Sequence, residues 1–348
     1  MKRWQSILLG AGITVITLYY ALHNVSWDTL GDVLAHGRYI YLVIAILLTF
    51  VALLVRAFRW RSLLNQRIKM VHSFHILTAS YLFYNILPFR LGEVVRVYLP
   101  TRLDPPVSAF TTLSSILVER FLDVLSVVLL VILAIAIAPV APEVVAGARI
   151  TGLIAVVGIV MLMVFAVRRD WAHRFLALGM RIVPALKRFN LVDLLDRILD
   201  GITSLGSVRG VLAAVGWTAL SWLTSLAISY VLMFIFFDQP KLNAAMLALA
   251  IGSLSLAVPA APGNVGPFEA AIVFGLTASG FIQASNPQQQ TQALAYAVIS
   301  HLNGVGVALI LGMYGLWQED ISLGALFRSA RQMAFGSQQA PASSSVEG

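Results

Sequence analysis

The sequence predicts an all-α integral membrane protein with about six full spans and two re-entrant broken helices in an inverted-repeat arrangement. Three observations carry that expectation. The 348 residues are 59% hydrophobic and 11% charged, with a mean hydropathy of +0.85, a balance that belongs to polytopic membrane proteins rather than soluble domains. The basic residues, which leave a net charge of +8, gather in a few connecting stretches. Two apolar stretches, 73–99 and 242–283, are interrupted by proline and glycine, which do not continue a helix.

The first span is 5–22. Met1-Lys2-Arg3 before an apolar run resembles a signal peptide, but the run from Ile7 to Leu22 is long and lacks a small-x-small cleavage site, so it is expected to stay as a span. Further spans are expected at 39–58, 107–138, 150–167, 211–236 and 291–317, each with a core near the ~20 residues that cross ~30 Å of hydrocarbon. The third is longer and is expected to tilt or to project into the interface.

Charge placement sets the orientation. Lys2, Arg3, the group from Arg56 to Lys69, the group from Arg168 to Arg209, and Arg328 with Arg331 all fall on one side, provided that each interrupted segment enters and leaves by the same face. The other side receives only Arg38, Arg149 and Lys241. Both termini are therefore expected in the cytoplasm, on the inner face of a bacterial plasma membrane. Segment 73–99 then opens inward and 242–283 outward, so halves 1–140 and 141–320 run in opposite directions. Residues 1–335 read as one membrane domain. Within 168–209, Leu191, Leu194, Leu195, Ile198, Ile202 and Leu205 recur at helical spacing, which predicts a helix lying on the cytoplasmic surface. The Ser- and Gln-rich end, 336–348, reads as a disordered tail.

The second break, Val258-Pro259-Ala260-Ala261-Pro262-Gly263-Asn264-Val265-Gly266-Pro267-Phe268-Glu269, is the stretch around which the chain is organised. Non-helical backbone at membrane depth needs protein or a water-filled cavity to receive it. Pro267 suits the first turn of a new helix, whose start would face the gap and favour an anion or the Glu269 carboxylate. A plain loop outside the bilayer is the alternative. The first break runs Ile86-Leu87-Pro88-Phe89-Arg90-Leu91-Gly92-Glu93-Val94-Val95-Arg96. Its Arg90, Glu93 and Arg96 share a helix face, which fits either a headgroup-phosphate site or an interfacial salt-bridge cluster. Glu93 and Glu269 each follow a break, which makes them candidate gate or coupling residues.

In the third span, Glu119, Arg120 and Asp123 lie within one turn of each other. Ionisable groups in a span face the bundle interior or a water path, and these either serve transport or lock helices together. His72 and His75 at a membrane edge read as packing residues, and His301 with Asn303 as interhelical hydrogen-bonding groups. There is no cysteine, and no nucleotide loop, dinucleotide fingerprint, zinc motif or nucleophile elbow. No cofactor or metal is expected. Nucleic acid is not an expected partner either, because topology accounts for the basic residues.

The chain resembles the flippase-like membrane region of lysylphosphatidylglycerol synthases over about residues 5–320. The carriers are Arg59-Trp60-Arg61-Ser62-Leu63-Leu64, Leu87 to Arg96, Glu119-Arg120-Phe121-Leu122-Asp123, and Pro262 to Glu269. None is specific alone; the four in this order, at this hydropathy, are. Asn264 stands where the family pattern more often has a second glycine, and Pro267 where a larger residue is common. The resemblance implies translocation of a lipid between leaflets, and no enzymatic activity in a chain without the aminoacyl-transferase domain. Arg90, Arg96 and Arg120 would meet an anionic headgroup; Glu93, Asp123 and Glu269 would gate the path, with Glu119, Pro262, Gly263, Asn264 and Gly266 beside them. The rivals are a scaffold that recruits a lipid-modifying enzyme or glycosyltransferase, and a membrane-embedded lipid-phosphate enzyme using Glu119 and Asp123.

Overall fold

The computed structural model describes residues 3–22, 25, 27–86, 91–142, 145–147, 150, 153, 157, 161, 164–165, 168–182, 191–192, 195–196, 207–256 and 262–319. Among them are helices and no strands. In chain order they are α1 (Arg3–Leu22), α2 (Trp27–Ala35), α3 (Ile40–Leu63), α4 (Met70–Ile86), α5 (Leu91–Tyr98), α6 (Ala109–Ile137), α7 (Arg169–Ile182), α8 (Val208–Met233), α9 (Leu242–Ser255), α10 (Pro267–Ala278) and α11 (Pro287–Gln318).

The long helices begin where the sequence supplies caps. Ser108 accepts the Thr111 N–H at 3.1 Å ahead of α6. Ser207 accepts the Gly210 N–H at 3.0 Å ahead of α8. Asn286 takes the N–H groups of Gln288 and Gln289 ahead of α11, with Pro287 in its first turn. Each cap satisfies a donor that the helix leaves unpaired.

Four helices, α3, α6, α8 and α11, are long and apolar enough to cross a membrane. Their outer faces carry exposed Leu47, Leu129, Leu212 and Ile310, as a hydrocarbon solvent requires. α1 covers the first expected span, with a shorter apolar stretch from Gly12 to Leu22. The expected span 150–167, the surface helix around 191–205 and the tail at 336–348 lie largely or wholly outside the described residues. In the basic segment, α7 exposes Trp171, Phe175 and Leu178 at helical spacing beside Arg169, Arg174 and Arg181, the composition of a helix seated in the headgroup layer.

Both interrupted segments are helical hairpins. In the first, α5 folds back on α4 so closely that a Cβ on Gly92 would press into the Ser80 carbonyl and stand 2.7 Å from the Tyr84 nitrogen. In the second, a Cβ on Gly275 of α10 would sit 2.9 Å from the Ala248 Cα of α9. Here α9 ends at Ser255 and α10 runs from Pro267 to Ala278.

The helices pack in matched pairs. α4 packs on α5 as α9 does on α10, and α3 on α4 as α8 does on α9. α11 lies against α4 as α6 lies against α9, and α5 meets α6 as α10 meets α11. α3 and α8 pair with each other. The two gaps also meet: the turn at Pro262–Asn264 rests on the end of α4, and the Tyr84 hydroxyl donates to the Leu256 carbonyl at 3.4 Å.

Candidate functional site

Three neighbouring features form the polar interior. The first is an ion cluster joining α3, α5 and α6. Glu119 of α6 is 1% exposed and accepts both terminal nitrogens of Arg96, at 3.0 and 2.6 Å. Arg59 of α3 reaches the same carboxylate at 3.0 Å and Asp123 at 2.7 Å. Trp222 of α8 donates its indole N–H to Asp123 at 3.1 Å. The Arg96 guanidinium also lies 4.5 Å from the ring centroid of Trp60, whose N–H donates to Ser115. Arg120, half exposed, spans Glu119 at 3.3 Å, Asp123 at 3.6 Å and Glu93 at 3.7 Å. Among the described residues three guanidiniums thus face three carboxylates, which makes that set formally neutral. Buried charges are tolerated on those terms.

The second feature is the turn before α10. Gly263, Asn264 and Gly266 have φ of 74°, 59° and 96°, the left-handed region that glycine enters freely and asparagine enters more readily than other residues. Asparagine therefore suits position 264. Its amide then ties the gap shut by donating to the Ser255 hydroxyl at 3.1 Å. Glu269, third residue of α10, accepts the Gly266 N–H at 2.7 Å. Its other oxygen meets Nδ1 of His301 on α11, while Nε2 of His301 faces the Gly263 carbonyl at 2.7 Å. The carbonyl only accepts, so Nε2 carries hydrogen. A further proton must then lie between Glu269 and His301, on one atom or the other. The start of α10 is occupied by its own side chain.

The third feature is a cavity of about 280 Å³ between α3, α8, α9, α10 and α11. Leu53, Ile228, Leu249 and Ile272 give it apolar walls, and Thr49, Ser225, Ser253 and Asn303 give it hydroxyl and amide groups. Asn303 donates to Thr49 at 2.9 Å, while its carbonyl oxygen has no partner. Arg56 also lines this space.

Residues 7–312 match the family described as the lysylphosphatidylglycerol synthase transmembrane region. The chain belongs to that family. No curated protein and no solved structure matches the chain. Membership makes it a multi-pass membrane protein connected with lipid metabolism or transport.

Three of the four stretches that carry the resemblance converge in space. Arg59 and Trp60 from the first, Glu93 and Arg96 from the second, and Glu119, Arg120 and Asp123 from the third make one cluster. Arg90 lies outside the described residues. Arg96 is turned into the protein, its fork filled by Glu119 rather than open to a ligand. Pro262 is exposed, Gly263 half-buried, and Asn264, Gly266 and Glu269 buried at the second gap. Glu93 and Glu269 correspond, each the third residue of its half-helix and each facing a nitrogen-bearing side chain on the long helix that follows, the Arg120 guanidinium and the His301 imidazole respectively. Sequence spacing missed Arg59, whose charge the orientation rule already explained, and it missed the pairing of His301. His72 and His75 both donate to Glu319 at the end of α11, and no group arranged to hold a metal is found among the described residues.

Proposed function

We propose that this protein moves a lipid between the leaflets of a bacterial inner membrane, with both termini in the cytoplasm and two inverted halves rocking about the α3–α8 pair. The observation that carries the proposal is the cavity. A space with hydroxyls, an amide and a guanidinium, set among membrane-crossing helices and beside a broken helix, suits a headgroup crossing hydrocarbon. Its size admits a headgroup and leaves the acyl chains in the bilayer. The matched helix pairs support the inverted repeat, since exchanging α3, α4, α5, α6 for α8, α9, α10, α11 preserves the packing scheme.

In this reading Arg59, Arg96 and Glu119 hold the first half rigid. Arg120 and Glu93, both partly exposed, gate the mouth at the first break. Pro262, Gly263, Asn264, Gly266 and Glu269 form the opposing gate. The proton held between Glu269 and His301 favours coupling to proton movement over a purely downhill lipid flow.

A second reading, a scaffold for a lipid-modifying enzyme, draws on α7, which exposes Trp171, Phe175 and Leu178 in a segment rich in basic residues. Leaflet exchange in liposomes separates the two. Purified protein should exchange a headgroup-labelled lipid, and Glu269→Gln should slow that exchange. Folded protein that exchanges no lipid, in a cell where deleting 168–209 abolishes the phenotype, would favour the scaffold.

A further inference from the structure

We infer that Arg56 is the anion receptor of the central cavity, and that the cavity selects lipids bearing a phosphate ester over uncharged lipids of the same chain length. The inference rests on the translocation reading for its biological meaning, but the binding it asserts stands on geometry alone.

Arg56 sits one turn before Arg59 on α3, roughly ten ångströms from that helix's C-terminal end at 1.5 Å per residue. Its neighbours are unlike those of every arginine in the ion cluster. Among the described residues no carboxylate lies within ion-pair distance of it. One terminal nitrogen donates to the Ser225 hydroxyl at 3.0 Å, and the guanidinium lies 5.9 Å from the Tyr81 ring centroid. A hydroxyl and an aromatic face hold the group in place without neutralising it. A guanidinium has five donors in a planar fork, and one hydroxyl takes only one of them.

The remaining donors adjoin a cavity that holds no competing anion. Among the described residues its lining contains Arg56 and no carboxylate or amine; the rest is aliphatic, aromatic, hydroxyl or amide. The neutral cluster next door cannot serve as the receptor, because its three cations are already matched. A guanidinium without a counter-charge on a membrane-crossing helix is costly, and such charges mark substrate paths. A phosphate ester would complete it, taking two parallel N–H bonds from the fork. Ser225, Ser253 and Thr49 then supply hydroxyls to the ester oxygens or to the alcohol portion of the headgroup. The apolar walls of Leu53, Leu249 and Ile272 favour the lipid as the source of that phosphate over a free ion.

The test uses the full chain, purified in a neutral detergent. Its unfolding temperature is read with phosphatidylglycerol, with an uncharged glycosyl diacylglycerol of the same chains, and with soluble glycerol phosphate. Leaflet exchange of the two lipids is then read in proteoliposomes. Phosphatidylglycerol should stabilise wild type more than the glycolipid does, glycerol phosphate should do little, and the preference should vanish in Arg56→Gln. Exchange of phosphatidylglycerol should fall about ten-fold or more in Arg56→Gln, the scale of one charge-assisted bond pair, and should fall further than exchange of the glycolipid does. Arg56→Lys should fall in between, since it keeps the charge and loses the fork. If Arg56→Gln does not fold, wild type and Arg56→Lys still decide through their lipid preference.

Equal stabilisation by both lipids, or a phosphatidylglycerol preference that survives in Arg56→Gln, overturns the receptor. Stabilisation by glycerol phosphate as strong as by the lipid overturns the lipid source. Binding that depends on Arg56 without exchange of any lipid retains the receptor and removes translocation. Exchange of both lipids at rates indifferent to Arg56→Gln does the reverse.

Discussion

Arg56 and Arg59 stand one turn apart on α3 and meet opposite electrostatic surroundings. Arg59 is closed in by Glu119 and Asp123, whereas Arg56 touches a hydroxyl and a ring. A single helix therefore contributes one cation to holding the bundle together and presents another to an open space.

That division sets the first expectation. Glu119→Gln leaves Arg59 and Arg96 buried with their shared counter-charge removed, which should cost about 3–5 kcal/mol. Arg120→Gln, at a half-exposed position, should cost only about 0–1 kcal/mol. Thermal unfolding of both variants in one detergent gives the comparison. A Glu119→Gln protein that melts with wild type would show that the cluster is not what holds α3, α5 and α6 together.

A pH dependence follows from the second gap. Glu269 and His301 share a proton across their contact, and His301 also faces the Gly263 carbonyl. If that proton moves during transport, wild-type exchange should vary with pH. His301→Gln keeps a donor for Gly263 but cannot exchange the proton, and its profile should be flat. Superimposable wild-type and variant profiles would rule out a role for that proton.

Asn264 offers a test of backbone conformation. Asn264→Gly loses the bond to Ser255, about 0.5–1.5 kcal/mol, but keeps an easy left-handed turn. Asn264→Val loses the bond and adds strain, about 1–2 kcal/mol more. The order of unfolding temperatures should be wild type, then glycine, then valine. Glycine and valine variants of equal stability would mean that the turn does not hold this conformation in the membrane.

Orientation can be read directly, because the chain has no cysteine. Lys241→Cys should react with an impermeant maleimide from outside intact cells, and Arg67→Cys only after the membrane is opened. The opposite pattern would invert the topology and exchange the mouths of the two hairpins.

Much of this was legible in the sequence because it is local. Hydropathy located the long helices, and Pro267 and Glu269 marked the start of α10 as expected. What was not legible is long-range. Nothing in the spacing of Arg59 pairs it with Glu119, sixty positions on, and the cationic side rule absorbed it first. The same rule hid Arg56. His301 read as an ordinary polar group in a span because its partners, Glu269 and Gly263, sit on another element. The cavity needs five helices at once, and no window of sequence contains it.

The close contacts at Gly92 and Gly275 have a mechanical consequence. Each hairpin is zipped backbone against backbone, so its two half-helices cannot slide past each other without a collision. Each therefore behaves as one stiff lever, and any working stroke lies in the pivot between levers. A covalent bridge within a hairpin should go unnoticed, while one between Tyr84 and Leu256, where the levers touch, should stall the machine.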